Sequence, residues 1–221
     1  MRSGLLLLGA VLLVLAAVAT GWLLRGEERP AATHGPVDVG FAHDMSVHHA
    51  QAVDMATTEL AGGSDPAVQN LAYDILTSQQ NQIGRMQGWL TSWGEPLLPT
   101  GGHMGWMAAH ENHSGMGGGG TGGGGMGGGM SGPMASMPGM ASPAEMDALR
   151  RAAPAARDVL FLQLMLRHHQ GGTDMLADAA ERAETGYVRA LATQMLATQN
   201  SESALMTSML RDRNAPVLPL R

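Results

Sequence analysis

Phe41-Ala42-His43-Asp44-Met45-Ser46-Val47-His48-His49 and Phe161-Leu162-Gln163-Leu164-Met165-Leu166-Arg167-His168-His169 carry one pattern, F-x-x-x-M-x-x-H-H, twice at a separation of 120 residues. Both copies run on into Asp-Met, as Asp54-Met55 and Asp174-Met175. The same shift, without a gap, matches Val68 with Val188, Leu71-Ala72 with Leu191-Ala192 and Leu76 with Leu196. It also matches Gln79 with Gln199, Met86 with Met206 and Leu90 with Leu210, giving 13 identities over residues 41–90. A duplication of this kind defines the unit of structure. Each copy reads as a helical hairpin, with helices over 38–61 and 66–93 in the first and over 143–183 and 187–212 in the second, the third bent near Pro154. Asp65 and Pro66 supply an N-cap and a first helical proline, and Ser142-Pro143-Ala144-Glu145 is a capping box. Neither hairpin can bury its apolar stripe alone. The expected fold class is therefore all-α, a four-helix bundle built from two repeated helical hairpins.

At about 100° per residue, Phe41, Met45, His48, Ala52 and Met55 fall within about 80° of one another, and His49 lies on the edge of their stripe. Phe161, Met165, His168, Gly172 and Met175 repeat that geometry, while Asp54 faces away. A methionine stripe alone usually means core packing, because Met fills irregular gaps. Adjacent histidine pairs restored at the same level of both hairpins are not something apolar packing requires. They mark Met45, His48, His49, Met55, Met165, His168, His169 and Met175 as candidate metal ligands. The partner helices interrupt their own stripes with Gln79 and Gln82, and with Gln199 and Glu202 in the second copy. Folding the first hairpin about its turn brings residues 78–82 level with Met45 and His48. These polar groups can hold the ring nitrogen of a ligating histidine that is not on the metal.

Composition sets the surroundings. Of 221 residues, 31 are Gly, 18 Met and none Cys, and the formal charge is −6. Thiolate sites, iron–sulfur clusters, disulfides and covalent c-type haem are excluded, and a nucleic-acid partner would need a basic face. Leu5–Leu24 is almost wholly apolar and about the ~20 residues needed for a transmembrane helix. Trp22 sits where an interfacial aromatic would. Residues 1–26 are thus expected to anchor the chain in a membrane with the bundle outside the cytoplasm. Secretion after cleavage at Ala17-Val18-Ala19 is the alternative. A linker over 27–37 precedes the first hairpin, 38–99. Residues 100–141 form a Gly/Met/His-rich tether expected to be flexible, and 142–214 the second hairpin. Between Gly101 and Ala141 stand 17 Gly, 8 Met and 3 His. His103, Met104, Met107, His110 and His113 are candidate low-affinity ligands there, with Met116, Met126, Met130, Met134, Met137 and Met140 further along. Nothing in the composition opposes a homo-oligomer.

Thioether and imidazole together suit Cu(I) and, less well, Cu(II). Ca²⁺ and Mg²⁺ want carboxylate clusters, di-iron bundles want inward E-x-x-H motifs, and the chain has no E-x-x-H. Copper is the expected ion.

The doubled motif with its Asp-Met continuation resembles the family called domain of unknown function 305. The resemblance spans nearly all of residues 38–212, including Met137-Pro138-Gly139-Met140-Ala141-Ser142-Pro143-Ala144-Glu145-Met146 before the third helix. Phe161 through Gly172 is its most specific stretch. It implies a ferritin-like four-helix bundle, exported or membrane-anchored, with some members binding copper and contributing to copper tolerance, and it puts the same eight Met and His residues forward as ligands. The first copy has His43-Asp44 where the second has Gln163-Leu164, so the two halves are expected to differ.

The leading functional expectation is an extracytoplasmic copper-binding protein that buffers or sequesters the ion without turnover. A bundle holding non-covalent haem for electron transfer competes with it, although stripes crowded with Met leave little room for a macrocycle. A structural or interaction module at the membrane surface is the third reading. Hydrolytic chemistry has no motif behind it: there is no G-x-S-x-G and no phosphate-binding G-K-[ST] loop.

Overall fold

A computed structural model describes residues 15–21, 33–108, 134 and 136–220. Among the described residues from His34 onward there are six helices: α1 (Pro36–Gly62), α2 (Pro66–Trp93), the single turn α3 (Gly105–Ala108), α4 (Pro143–Arg151), α5 (Pro154–Arg182) and α6 (Gly186–Asp212). Among the described residues there is no strand beyond one isolated backbone bridge, His103 to Met134. α1 packs along α2, α5 along α6, and the two hairpins meet through α1 and α5. Residues 15–21 are helical and belong to a separate unit. Most of the expected anchor lies outside the described residues, and among those described no helix is long and apolar enough to cross a membrane.

Local chemistry sets the helix ends. Asp65 accepts from the Ala67 amide, Pro66 opens α2, and Gly94 closes it with φ +77°, in the left-handed region. Ser142 and Glu145 form the reciprocal capping box at α4. The third helix is two helices rather than one bent helix. Ala152 and Ala153 are extended, because proline crowds a helical residue before it and its ring fits the first helical position of the next helix. Arg157 reaches back to the carbonyls of Leu149, Arg150 and Ala152 and satisfies the orphaned end of α4.

The duplication also builds a reciprocal clamp. Asp38, at the start of α1, accepts from the Glu184 and Thr185 amides at 3.0 Å and from the Thr185 hydroxyl at 2.7 Å. Asp158, 120 residues on, accepts from the Ser64 amide and hydroxyl at 2.8 and 2.6 Å. The N-terminal part of α1 and of α5 thus holds the turn of the other hairpin. His43 and Gln163 are matched likewise, on the carbonyls of Pro96 and Pro216.

The described ends of the Gly/Met/His-rich segment are packed on the bundle core through Met104, Trp106, Met137 and Ala141. Asp44 is buried and accepts from His103 Nδ1, the Met104 amide and Trp106 Nε1 at 2.7–2.8 Å. Trp106 lies over Gly40, where a Cβ would come within 2.3 Å of the indole. At the other end Gln51 takes both polar groups of Ala141, and Arg167 binds Glu145 through two parallel bonds of 2.8–2.9 Å. Glycine supplied access and a carboxylate supplied anchorage, and these outweigh the entropy of ordering the backbone.

Candidate metal centre

Halfway along the bundle α1 and α5 bring the two histidine pairs together. The rings of His48 and His168 lie 3.7 Å apart with their planes 35° from parallel. His49 and His169 stand 6.5 and 6.4 Å from their sequence neighbours. None of the four is more than 1% exposed, so His49 is interior rather than on the edge of the stripe.

Each ring makes one hydrogen bond, always through Nε2. His48 donates to the Pro138 carbonyl (3.3 Å) and His168 to the His48 carbonyl (3.0 Å). His49 donates to Gln82 Oε1 (2.8 Å) and His169 to Glu202 Oε2 (2.7 Å). Every acceptor is an oxygen without a proton, so every Nε2 carries the hydrogen. The four Nδ1 atoms are buried with no partner in the protein. Burial first, and then the neighbouring imidazoles, keeps the rings of His49 and His168 neutral. It pushes His49 down to about 3 and His168 well below the ordinary range. Burial also lowers His48 to about 4, against the pull of the Pro138 carbonyl. An unpaired buried nitrogen is costly, and a neutral imidazole with its second nitrogen fixed by an oxygen is the form that ligates a metal.

Thioethers flank this layer on both sides. Met45 and Met175 share one core cluster with Met86 and Met195, and Met55 and Met165 share another with Met206. Met45, Met55, Met165 and Met175 are fully buried. Gln82 and Glu202 meet His49 and His169, whereas Gln79 leaves both amide atoms unpartnered and Gln199 its Oε1. Gly172 is where this crowding is tightest, since a Cβ there would lie 3.3 Å from His48 Cε1 and 3.4 Å from Gln199 Oε1. Of the tether candidates, Met104 is buried in the core cluster that holds Met45, Met107 packs half-buried on the same cluster, and His103 is engaged by Asp44. His110 and His113 lie outside the described residues.

Among the described residues no three of His, Asp and Glu converge as a metal-binding group. The donors that lie in and beside this layer are imidazole and thioether, the donor set of a soft ion. Four contributors escaped the sequence reading. Pro138 gives its carbonyl to His48. Gly139, at φ +78°, and Gly171 let that segment touch α5, where a Cβ on Gly171 would stand 2.2 Å from the Pro138 oxygen. Met195 occupies the place matching Ile75, so the repeat gave no signal for it.

A family model, Domain of unknown function (DUF305), matches residues 38–210. The chain belongs to the DUF305 family. A DUF305 protein of Streptomyces coelicolor, predicted to be secreted, is 37% identical, with a TM-score of 0.69 over 83% of this chain and 97% of that one. A DUF305 fragment from Deinococcus radiodurans is 31% identical, with a TM-score of 0.60 over 83% and 99%. CopM in its Cu(I)-bound form is 22% identical, with a TM-score of 0.56 over 79% and 96%, a likeness of fold alone. No curated protein sequence matches the chain.

Proposed function

We propose that this DUF305 protein binds copper outside the cytoplasm and buffers or sequesters it without turnover, through His48, His49, His168 and His169 with Met45, Met55, Met165 and Met175. The observation that carries the reading is the set of four buried Nδ1 atoms with no partner, set between two thioether clusters. Cu(I) accepts that donor pair, and Cu(II) accepts the imidazoles. CopM, which shares the fold, has been solved in Cu(I)-, Cu(II)- and Ag-bound forms. The Streptomyces relative supports a location outside the cytoplasm, and Leu5–Leu24 supplies the export signal or anchor.

Titration with Cu(I) against a competing chelator tests the proposal. Replacing the four histidines with Ala is expected to abolish the tight sites. Unchanged stoichiometry and affinity in that variant would refute the assignment.

A further inference from the structure

The repeat relates the two ends of the bundle, yet they are unequal in sulfur. At one end Met45, Met86, Met175 and Met195 share a core with Met104 and Met137, and none of the six is more than 3% exposed. Half-buried Met107, Met134 and Met140 pack on that cluster. At the other end the buried thioethers are Met55, Met146, Met165 and Met206, with half-buried Met209 packed on them. There Ile75 occupies the position that the repeat relates to Met195. A core that needs only volume is served by such aliphatic groups. The first end concentrates sulfur instead, and draws two of its six from outside the repeat.

The backbone at those two residues is held unusually firmly. Met104 has φ +63°, in the left-handed region that residues with a Cβ seldom enter. Its amide is bound at 2.7 Å by buried Asp44, which also takes His103 and Trp106. A strained conformation persists only where its surroundings over-determine it, and here the Met104 side chain is buried in the cluster that holds Met45. Met137 precedes the Pro138-Gly139 turn that seats on Gly171 and offers its carbonyl to His48. The same strap therefore ties the Met45 end to the imidazole layer.

We infer that the Met45 end is the tighter of two soft-ion sites, a thioether-rich site for Cu(I) or Ag(I) that Met104 and Met137 complete. The inference rests on the copper-binding reading and adds to it a ranking of the two ends and a preference for d¹⁰ ions. Thioethers hold Cu(I) and Ag(I) and take Cu(II) poorly, so the ranking applies to the soft ions alone.

The test uses the full chain in a mild non-ionic detergent, labelled with ¹³C at the methionine methyls and titrated with Ag(I), which has no redox chemistry to confuse the result. The first equivalent is expected to shift the methyls of Met45, Met86, Met104, Met137, Met175 and Met195 before those of Met55, Met146, Met165 and Met206. The volume-conserving pair Met104→Leu and Met137→Leu should keep the fold and weaken the first Ag(I) about tenfold or more. Met146→Leu with Met206→Leu should leave it unchanged. Parallel shifts at both ends, or wild-type affinity in the Met104→Leu/Met137→Leu variant, would overturn this inference while leaving copper binding intact. A wild-type protein that takes up neither Ag(I) nor Cu(I) would overturn both.

Discussion

His48, His49, His168 and His169 donate Nε2–H to oxygens that have no proton to return, and this sets the tautomer of all four before any ion arrives. Adjacency of the histidines was legible in the sequence. Their tautomer was not, because the acceptors come from the backbone of Pro138 and His48 as well as from the partner helices. Glu59 poses a different residue-scale problem. It is wholly buried, and burial, then the neighbouring Asp158, pushes its carboxyl up to about 8. With the folded value above the unfolded one, near 4.5, the folded protein holds this proton more tightly. The associated stability is complete below about pH 4.5 and is lost as pH rises through about 8, at most about 1.4 kcal/mol per unit. Glu59→Gln keeps a donor toward Asp158 and cannot ionise. Urea unfolding at several pH values should show the variant gaining on wild type from pH 5 to pH 8. Parallel curves would mean that Glu59 is ionised in the fold.

Helix ends and hairpin pairing were readable because caps and breakers are local signals: Asp65-Pro66, Gly94 and the Ser142–Glu145 box each act within one turn. The clamp by Asp38 and Asp158 depends on tertiary contact, yet the repeat contains it three residues before Phe41 and Phe161. Burial raises the Asp38 carboxyl, and the bonds from Thr185, Gly35 and Glu184 outweigh it and hold the group below its usual range. Asp38→Ala strands three buried amides and should cost about 2 kcal/mol or more in urea denaturation. A loss no larger than that of an exposed control, Asp54→Ala, would show that the clamp carries no weight. The tether ends were unreadable for the opposite reason, since low-complexity sequence hides which glycine is a contact. Gly171→Ala forces a Cβ into the Pro138 carbonyl and should destabilise by about 1–3 kcal/mol. Gly84→Ala, in the same kind of helix with nothing within 4 Å, should stabilise by about 0.5–1 kcal/mol. Equal effects at the two positions would contradict the strap.

At the scale of the molecule, two hairpins bury their apolar stripes against each other, and the histidine layer lies between the two clusters they form. A bundle that needed only packing would not leave four imidazole nitrogens and the Gln79 amide unpaired in its centre. The measurement that bears most directly on this point is ¹⁵N NMR of the histidine side chains during Cu(I) addition. The account predicts that the four Nδ1 resonances move as the ion binds while each Nε2 keeps its proton. Copper bound at full stoichiometry with the Nδ1 signals unmoved, or with the proton displaced from Nε2, would contradict it.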